Sequence, residues 1–120
     1  MIRVKARYIV IRLRHEGDQS RALGEMLGSI VKSKVGIDYG SYGASMVGNL
    51  VVVEYLPHSQ IAVIRCDAPA CKYVLFTIAT IGEISGLKCS MSILWISGIL
   101  KRAMRRILKY VKMEKELERR

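Results

Sequence analysis

A chain of 120 residues and 13.5 kDa has room for one compact domain and is long enough to bury a core without disulfide staples. Apolar residues at 51% and charged residues at 25% exclude wholesale disorder. The net charge of +10 is unevenly spread: residues 1–15 carry five bases and no acid, 16–97 six bases against seven acids, 98–113 six bases and no acid, and the tail is neutral. Such a near-neutral body with two strongly basic elements points to a polyanionic partner. No window holds the roughly 18 to 20 consecutive apolar residues of a membrane span. The opening residues alternate charged and apolar side chains, unlike a secretory signal. Cys66, Cys71 and Cys89 cannot pair off and match no CxxC pattern, so reduced thiols in the cytoplasm are expected, with no metal site.

Residues 3–13 read as a strand from their β-branched content and alternation. Arg3, Lys5 and Arg7 share one face, and around Tyr8–Ile11 both faces are apolar. That pattern suits a central strand covered on both sides, or a bulge that swaps the faces. After a loop in which Asp18 or Ser20 supplies the cap, Leu23, Met26, Leu27, Ile30 and Val31 recur at helical spacing, with Gly36 as terminator. Gly40 and Gly43 among serine and tyrosine mark a flexible connection. Residues 46–56 and 60–67 are strands around a turn at Pro57-His58-Ser59. Asp67 is positioned to cap a second helix, with Pro69 in its first turn. Cys71, Val74, Leu75, Ile78, Ala79 and Gly82 form its apolar face, and Gly86 closes it.

Residues 88–96 make a fourth strand, and Ser97 caps a final helix over about residues 98–117. The order β-α-β-β-α-β predicts an α+β, ferredoxin-like sandwich, an RRM-like plan with an additional C-terminal helix. One domain is expected over 1–120, with its core in 2–97. That plan alone fixes no function.

The final helix is the sharpest clue. Ile99, Leu100, Ala103, Met104, Ile107, Leu108 and Val111 form one stripe; Lys101, Arg102, Arg105, Arg106, Lys109 and Lys112 form the rest. A solvated helix face normally mixes acids and bases at i, i+4, but residues 98–113 contain no acid. Bases near its start and Glu114, Glu116 and Glu118 near its end oppose the macrodipole by about 0.3–1 kcal/mol each. Phosphate contact accounts for both features. Arg3, Lys5 and Arg7 invite the same reading, with the blunting of an edge strand as the alternative.

Aromatic residues are scarce where base stacking would need them, since the third strand has none. Backbone and shape recognition of folded RNA fits better than single-strand readout. No catalytic motif is present, no paired acids suggest a cleft, and His15 and His58 lie at a strand end and in a turn. No catalytic residue is assigned.

Three stretches together resemble a known family. Lys5-Ala6-Arg7-Tyr8-Ile9-Val10 resembles its opening strand, Ala62-Val63-Ile64-Arg65-Cys66-Asp67 its third-strand signature, and Ile96-Ser97-Gly98-Ile99-Leu100-Lys101-Arg102 its turn into a basic helix. The family is ribonuclease P protein component 2, of the archaeal type and shared with the eukaryotic ribonuclease P/MRP enzymes. Ala62 replaces the family's usual Gly and Ile99 its usual Thr.

The resemblance implies an RNA-binding subunit of an endonuclease ribonucleoprotein that removes 5′ leaders from precursor tRNA. Catalysis and Mg2+ would belong to the ribonuclease P RNA, and precursor tRNA would be met indirectly. The protein would bind no cofactor and would pair with component 3 as a heterodimer, in a dimer of heterodimers. Arg3, Lys5, Arg7, Arg65, Lys101, Arg102, Arg105, Arg106 and Lys109 would face RNA. Tyr73, Phe76 and Thr80, off the core stripe of the second helix, are candidates for a protein contact, with plain packing as the alternative. The competing reading is a stand-alone ferredoxin-like sensing or interaction domain that binds an anionic ligand.

Overall fold

The computed structural model describes residues 5–15, 20–84 and 87–118. Its elements are β1 (Ala6–His15), α1 (Ser20–Met46), β2 (Val51–Leu56), β3 (Ile61–Asp67), a short 3-10 turn (Ala68–Ala70), α2 (Cys71–Thr80), β4 (Glu83–Ile84), β5 (Leu87–Ser97) and α3 (Leu100–Glu118). The strands form one antiparallel sheet in the order β2-β3-β1-β5-β4. Apart from the two-residue β4, this is the expected ferredoxin-like arrangement.

β1 and β3 lie at the centre, which explains their double-faced apolar pattern. On one face Ile9, Ile11 and Leu13 of β1 join Ala62, Ile64 and Cys66 of β3 beneath α1 and α2. On the other, Val10, Ile61 and Val63 are covered by Ala103 and Ile107 of α3. Of the two readings of β1, the central strand is correct. The register shift opposite Val10 and Ile11 belongs to β5, where Leu94 is the unopposed residue.

Several boundaries differ from the sequence-based expectation. α1 does not stop at Gly36; Leu27, Val31 and Val35 are fully buried at four-residue spacing and carry the helix onward. Tertiary burial here outweighs the roughly 1 kcal/mol that a helical glycine costs. Gly40 is a kink rather than a flexible connection, with φ 69° and ψ −158°, and helix resumes to Met46. Gly43 allows the resumed helix to close on Tyr39 and the Val35 carbonyl, where a methyl group would sit 2.5 and 2.9 Å from them. Nothing crowds Gly40 within 4 Å, so its requirement is purely backbone. Gly40→Ala is therefore expected to lower unfolding free energy by about 1–3 kcal/mol in a urea titration; an unchanged midpoint would count against this backbone geometry.

Asp67 precedes the 3-10 turn but makes no side-chain cap; its carboxylate accepts a hydrogen bond from Asn49 Nδ2 at 3.1 Å. α2 ends at Thr80, so Gly82, expected on its apolar face, lies beyond the helix; Thr77 is buried beside Val74 and Ile78 while Ala79 is exposed. The expected caps at Asp18 and Gly86 lie outside the described residues, as does the side chain of Ser20. In α3 the docked stripe is narrower than expected. Ala103 and Ile107 are buried and Tyr110 packs with them, whereas Ile99, Leu100 and Leu108 are exposed. Among the described residues, no helix is long and apolar enough to cross a membrane.

Candidate nucleic-acid interface

Strand register decides whether the two basic elements meet. Tyr8 lies between Arg65 on β3 and Ser97 on β5, so the start of β1 and the end of β5 share one end of the sheet. There the Ser97 hydroxyl accepts the Ile99 N–H at 3.1 Å and donates to the Ile99 carbonyl at 2.9 Å. This local turn reverses the chain, and α3 starts at Leu100. The Thr-to-Ile departure at position 99 thus leaves the turn intact, because Ser97 supplies the hydroxyl. The Gly-to-Ala departure at 62 places a methyl group in the core, where Ala62 is fully buried.

Lys5 is exposed at this end, and its carbonyl accepts the Ala68 N–H at 2.7 Å. Arg7 donates from Nη1 to the Ala6 carbonyl at 3.0 Å and lies against Gly98. Arg65 is half-buried. Arg3 lies outside the described residues. Alternation puts Lys5 and Arg7 on the α1/α2 side of the sheet and Arg65 on the α3 side, so they flank the sheet end from both faces.

Along α3, Lys101, Arg102, Arg105, Arg106, Lys109 and Lys112 are all exposed while Ala103 and Ile107 hold the helix to the sheet. Among the described residues the ion pairs are Arg12–Glu114 and Lys34–Asp38, so none of the six α3 cations has a carboxylate partner. The described candidate cations thus gather at one sheet end and along the helix that departs from it. Uncompensated positive charge held outward on a rigid helix is what binding a phosphate backbone requires.

Arg12 behaves differently from its neighbours in sequence. It is nearly buried, and its guanidinium grips the Glu114 carboxylate with two bonds, Nη1–Oε1 at 2.5 Å and Nη2–Oε2 at 2.6 Å. It also donates to the Tyr110 hydroxyl at 3.1 Å. The hydrogen bond to Glu114 raises the Arg12 pKa above its usual value, and the same bond holds the Glu114 carboxyl below its own. The placement of Glu114 near the helix end, unfavourable for an isolated helix, is explained by this pair.

Sequence reasoning missed Trp95. The β5 residue packs beneath α3 with its ring 5.9 Å from that of Tyr110, and the Arg106 guanidinium lies 4.9 Å over the indole. The signal was the apolar run of the fourth strand, but its facing depends on the irregularity at Leu94.

On the opposite face of the sheet, Tyr73 and Phe76 meet Tyr39 at 4.8 and 6.4 Å, and Tyr42 meets Tyr73 at 6.2 Å. Phe76 and Tyr42 are about three-fifths exposed. Tyr39 and Tyr42 join the cluster because of the kink at Gly40, which no periodicity announced. Thr80 is exposed and donates to the Thr77 carbonyl at 2.8 Å, outside this ring cluster.

Nothing in the thiols suggests chemistry. Burial pushes Cys66 up to about 12 and raises Cys71 and Cys89, which disfavours the thiolate. Among the described residues, no three His, Cys, Asp or Glu side chains converge in a way that could hold a metal ion.

Comparison with known proteins places the chain in a family and agrees with the fold. Residues 7–108 match the model of the Rpp14/Pop5 family. Ribonuclease P protein component 2 of Pyrococcus horikoshii is 27% identical over 107 residues, covering 89% of this chain and 86% of the relative. A chain in the cryo-EM structure of yeast ribonuclease MRP superposes with a TM-score of 0.59 at 17% identity, covering 98% of this chain and 96% of that one, a likeness of fold. With the family model spanning almost all of β1 through the first half of α3, the chain belongs to the Rpp14/Pop5 family of ribonuclease P subunits.

Proposed function

We propose that this subunit acts by charge neutralisation, laying α3 and the basic sheet end on ribonuclease P RNA so that crowded RNA helices pack with less Mg2+. The single observation that carries this reading is the row of six exposed α3 cations, none paired to a carboxylate among the described residues. The RNA would hold the Mg2+ and act on the 5′ leader of precursor tRNA, which the protein meets indirectly. Arg7 and Arg65 extend the positive surface around the sheet end, where Lys5 is also exposed. The exposed rings of Tyr42 and Phe76, with the half-buried Tyr73 between them, lie on the other face of the sheet, available to component 3 while RNA occupies α3. A member of this family with these features is expected to work in the cytoplasm in an archaeal-type particle.

The anion-sensor reading receives no comparable support. A hollow of about 720 Å³ between α1 and β2 includes Glu25 and Glu54 beside Lys32 in its lining and lies away from the α3 cations.

The test is the salt dependence of binding to ribonuclease P RNA. Replacing Lys101, Arg102, Arg105 and Arg106 with Gln should flatten the slope of log affinity against log salt by up to about 0.9 for each phosphate no longer neutralised. An unchanged slope would remove α3 from the RNA interface.

A further inference from the structure

The β5 irregularity creates a site as well as a bend. Val10 stands opposite Trp95 and Ile11 opposite Ile93, leaving Leu94 without a partner. A bulge lets two consecutive side chains lean to the same face, and both Leu94 and Trp95 pack into the cluster beneath α3. Between them and the helix is a slot of about 420 Å³ lined by Leu94, Trp95, Arg106, Lys109, Tyr110 and Met113. This falls in the range of small-ligand pockets, about 300–1,000 Å³.

The lining has a definite chemistry. Trp95 and Tyr110 supply aromatic surface, and Met113 is a largely exposed thioether wall. Arg106 and Lys109 supply positive charge, and no lining residue is acidic. The nearest acid along the helix, Glu114, is turned to Arg12. The indole Nε1–H of Trp95 is buried with no acceptor among the described residues. A buried donor without a partner is costly, and such an atom points to a group that arrives from outside.

We propose that this slot takes one unpaired nucleotide of a bound RNA. The proposal rests on the reading of the chain as an RNA-contacting subunit. A base has the flat apolar face that an indole stacks on, and ring nitrogens or carbonyls that accept from Nε1–H. Its phosphate meets Lys109. The Arg106 guanidinium now over Trp95 holds the place of the base, and moves to the phosphate when the base enters. An acidic peptide satisfies the two cations but brings no flat ring for the indole. The slot also opens onto the same helix whose other cations await a polyanion, so one strand can engage both.

Trp95 is the only tryptophan of the chain, so its emission reports this slot alone. The full chain is titrated at fixed salt with an adenosine RNA hexamer, an abasic ribose-phosphate hexamer and a glutamate hexapeptide. The adenosine hexamer should quench Trp95 emission and bind about tenfold more tightly than the abasic one, the scale of one base–aromatic stack. Met113→Ala should bring that ratio towards one. Equal affinity for the two nucleic acids without quenching would overturn the slot and leave the phosphate-binding reading standing. Stronger quenching by the peptide would assign the slot to an acidic protein segment instead. Binding of neither hexamer, together with none to ribonuclease P RNA, would overturn both readings.

Discussion

Ile107→Ala is expected to lower unfolding free energy by about 2–5 kcal/mol, the range for truncating a buried aliphatic side chain. Ile107 is fully buried against Val10, Ile61 and Val63, and with Ala103 it forms the buried centre of the α3 contact. Because, among the described residues, α3 covers this face of the sheet while α1 and α2 cover the other, the loss should be partly local. Amide exchange in α3 should accelerate more than in β1 and β3, whose opposite face stays buried. Trp95 emission should shift to the red before the main transition, as the indole loses its cover. The midpoint should fall by roughly 4 °C for each kcal/mol in a chain of this size. Ile107→Val, which keeps most of the volume, should cost only about 0.5–1.5 kcal/mol. Uniform acceleration of exchange through the whole sheet would instead show that α3 and the body unfold as one unit.

The same dependence on α3 explains what the sequence could and could not convey. Periodicity located every long element because the buried stripes repeat: Leu27, Val31 and Val35 on α1, and the double-sided run of β1. The absence of acids between residues 98 and 113 marked the basic helix before any geometry was known. Non-local geometry was illegible. That Lys5, Arg7 and Arg65 share one end with the start of α3 follows from strand register, which is set by pairing partners up to ninety residues away. Leu108 reads as core by spacing, yet it is exposed because α3 meets the sheet along a narrow seam. Tyr110, which spacing assigned to neither face, is held inward by Arg12 and Trp95. Trp95 went unremarked because its direction depends on one extra residue at Leu94. Gly40 and Gly43 read as loop because propensity sees two glycines and not the aromatic ring of α2 waiting at Tyr39.

Glu114→Gln is expected to be the most informative single change in electrostatics. It keeps the shape of the side chain and removes the charge that Arg12 grips. The Arg12 side chain is 9% exposed and Glu114 is 36% exposed. Breaking a fully buried pair costs about 3–5 kcal/mol; with one partner this open to water, about 1–2 kcal/mol is the appropriate expectation. The sign with pH follows from the carboxylate. Its folded pKa lies below the ordinary value of 4.5, so unfolded protein binds the proton more readily. The stabilisation is therefore complete above about pH 5 and is lost as pH falls through the depressed folded value. Wild-type stability should drop more steeply than that of the variant as pH falls below about 5, and the two should converge in acid. The guanidinium stays charged throughout that window, since its pKa is raised and not lowered. Arg12→Met should cost at least as much as the Gln variant, because it strips Tyr110 of its donor as well. The double variant Arg12→Met with Glu114→Met should recover part of the loss, as apolar pairs often replace buried ion pairs at little cost. Parallel pH profiles for wild type and Glu114→Gln would show that the pair contributes nothing to holding α3. In that case the apolar seam around Ile107 alone would hold α3 on the sheet with its cations exposed.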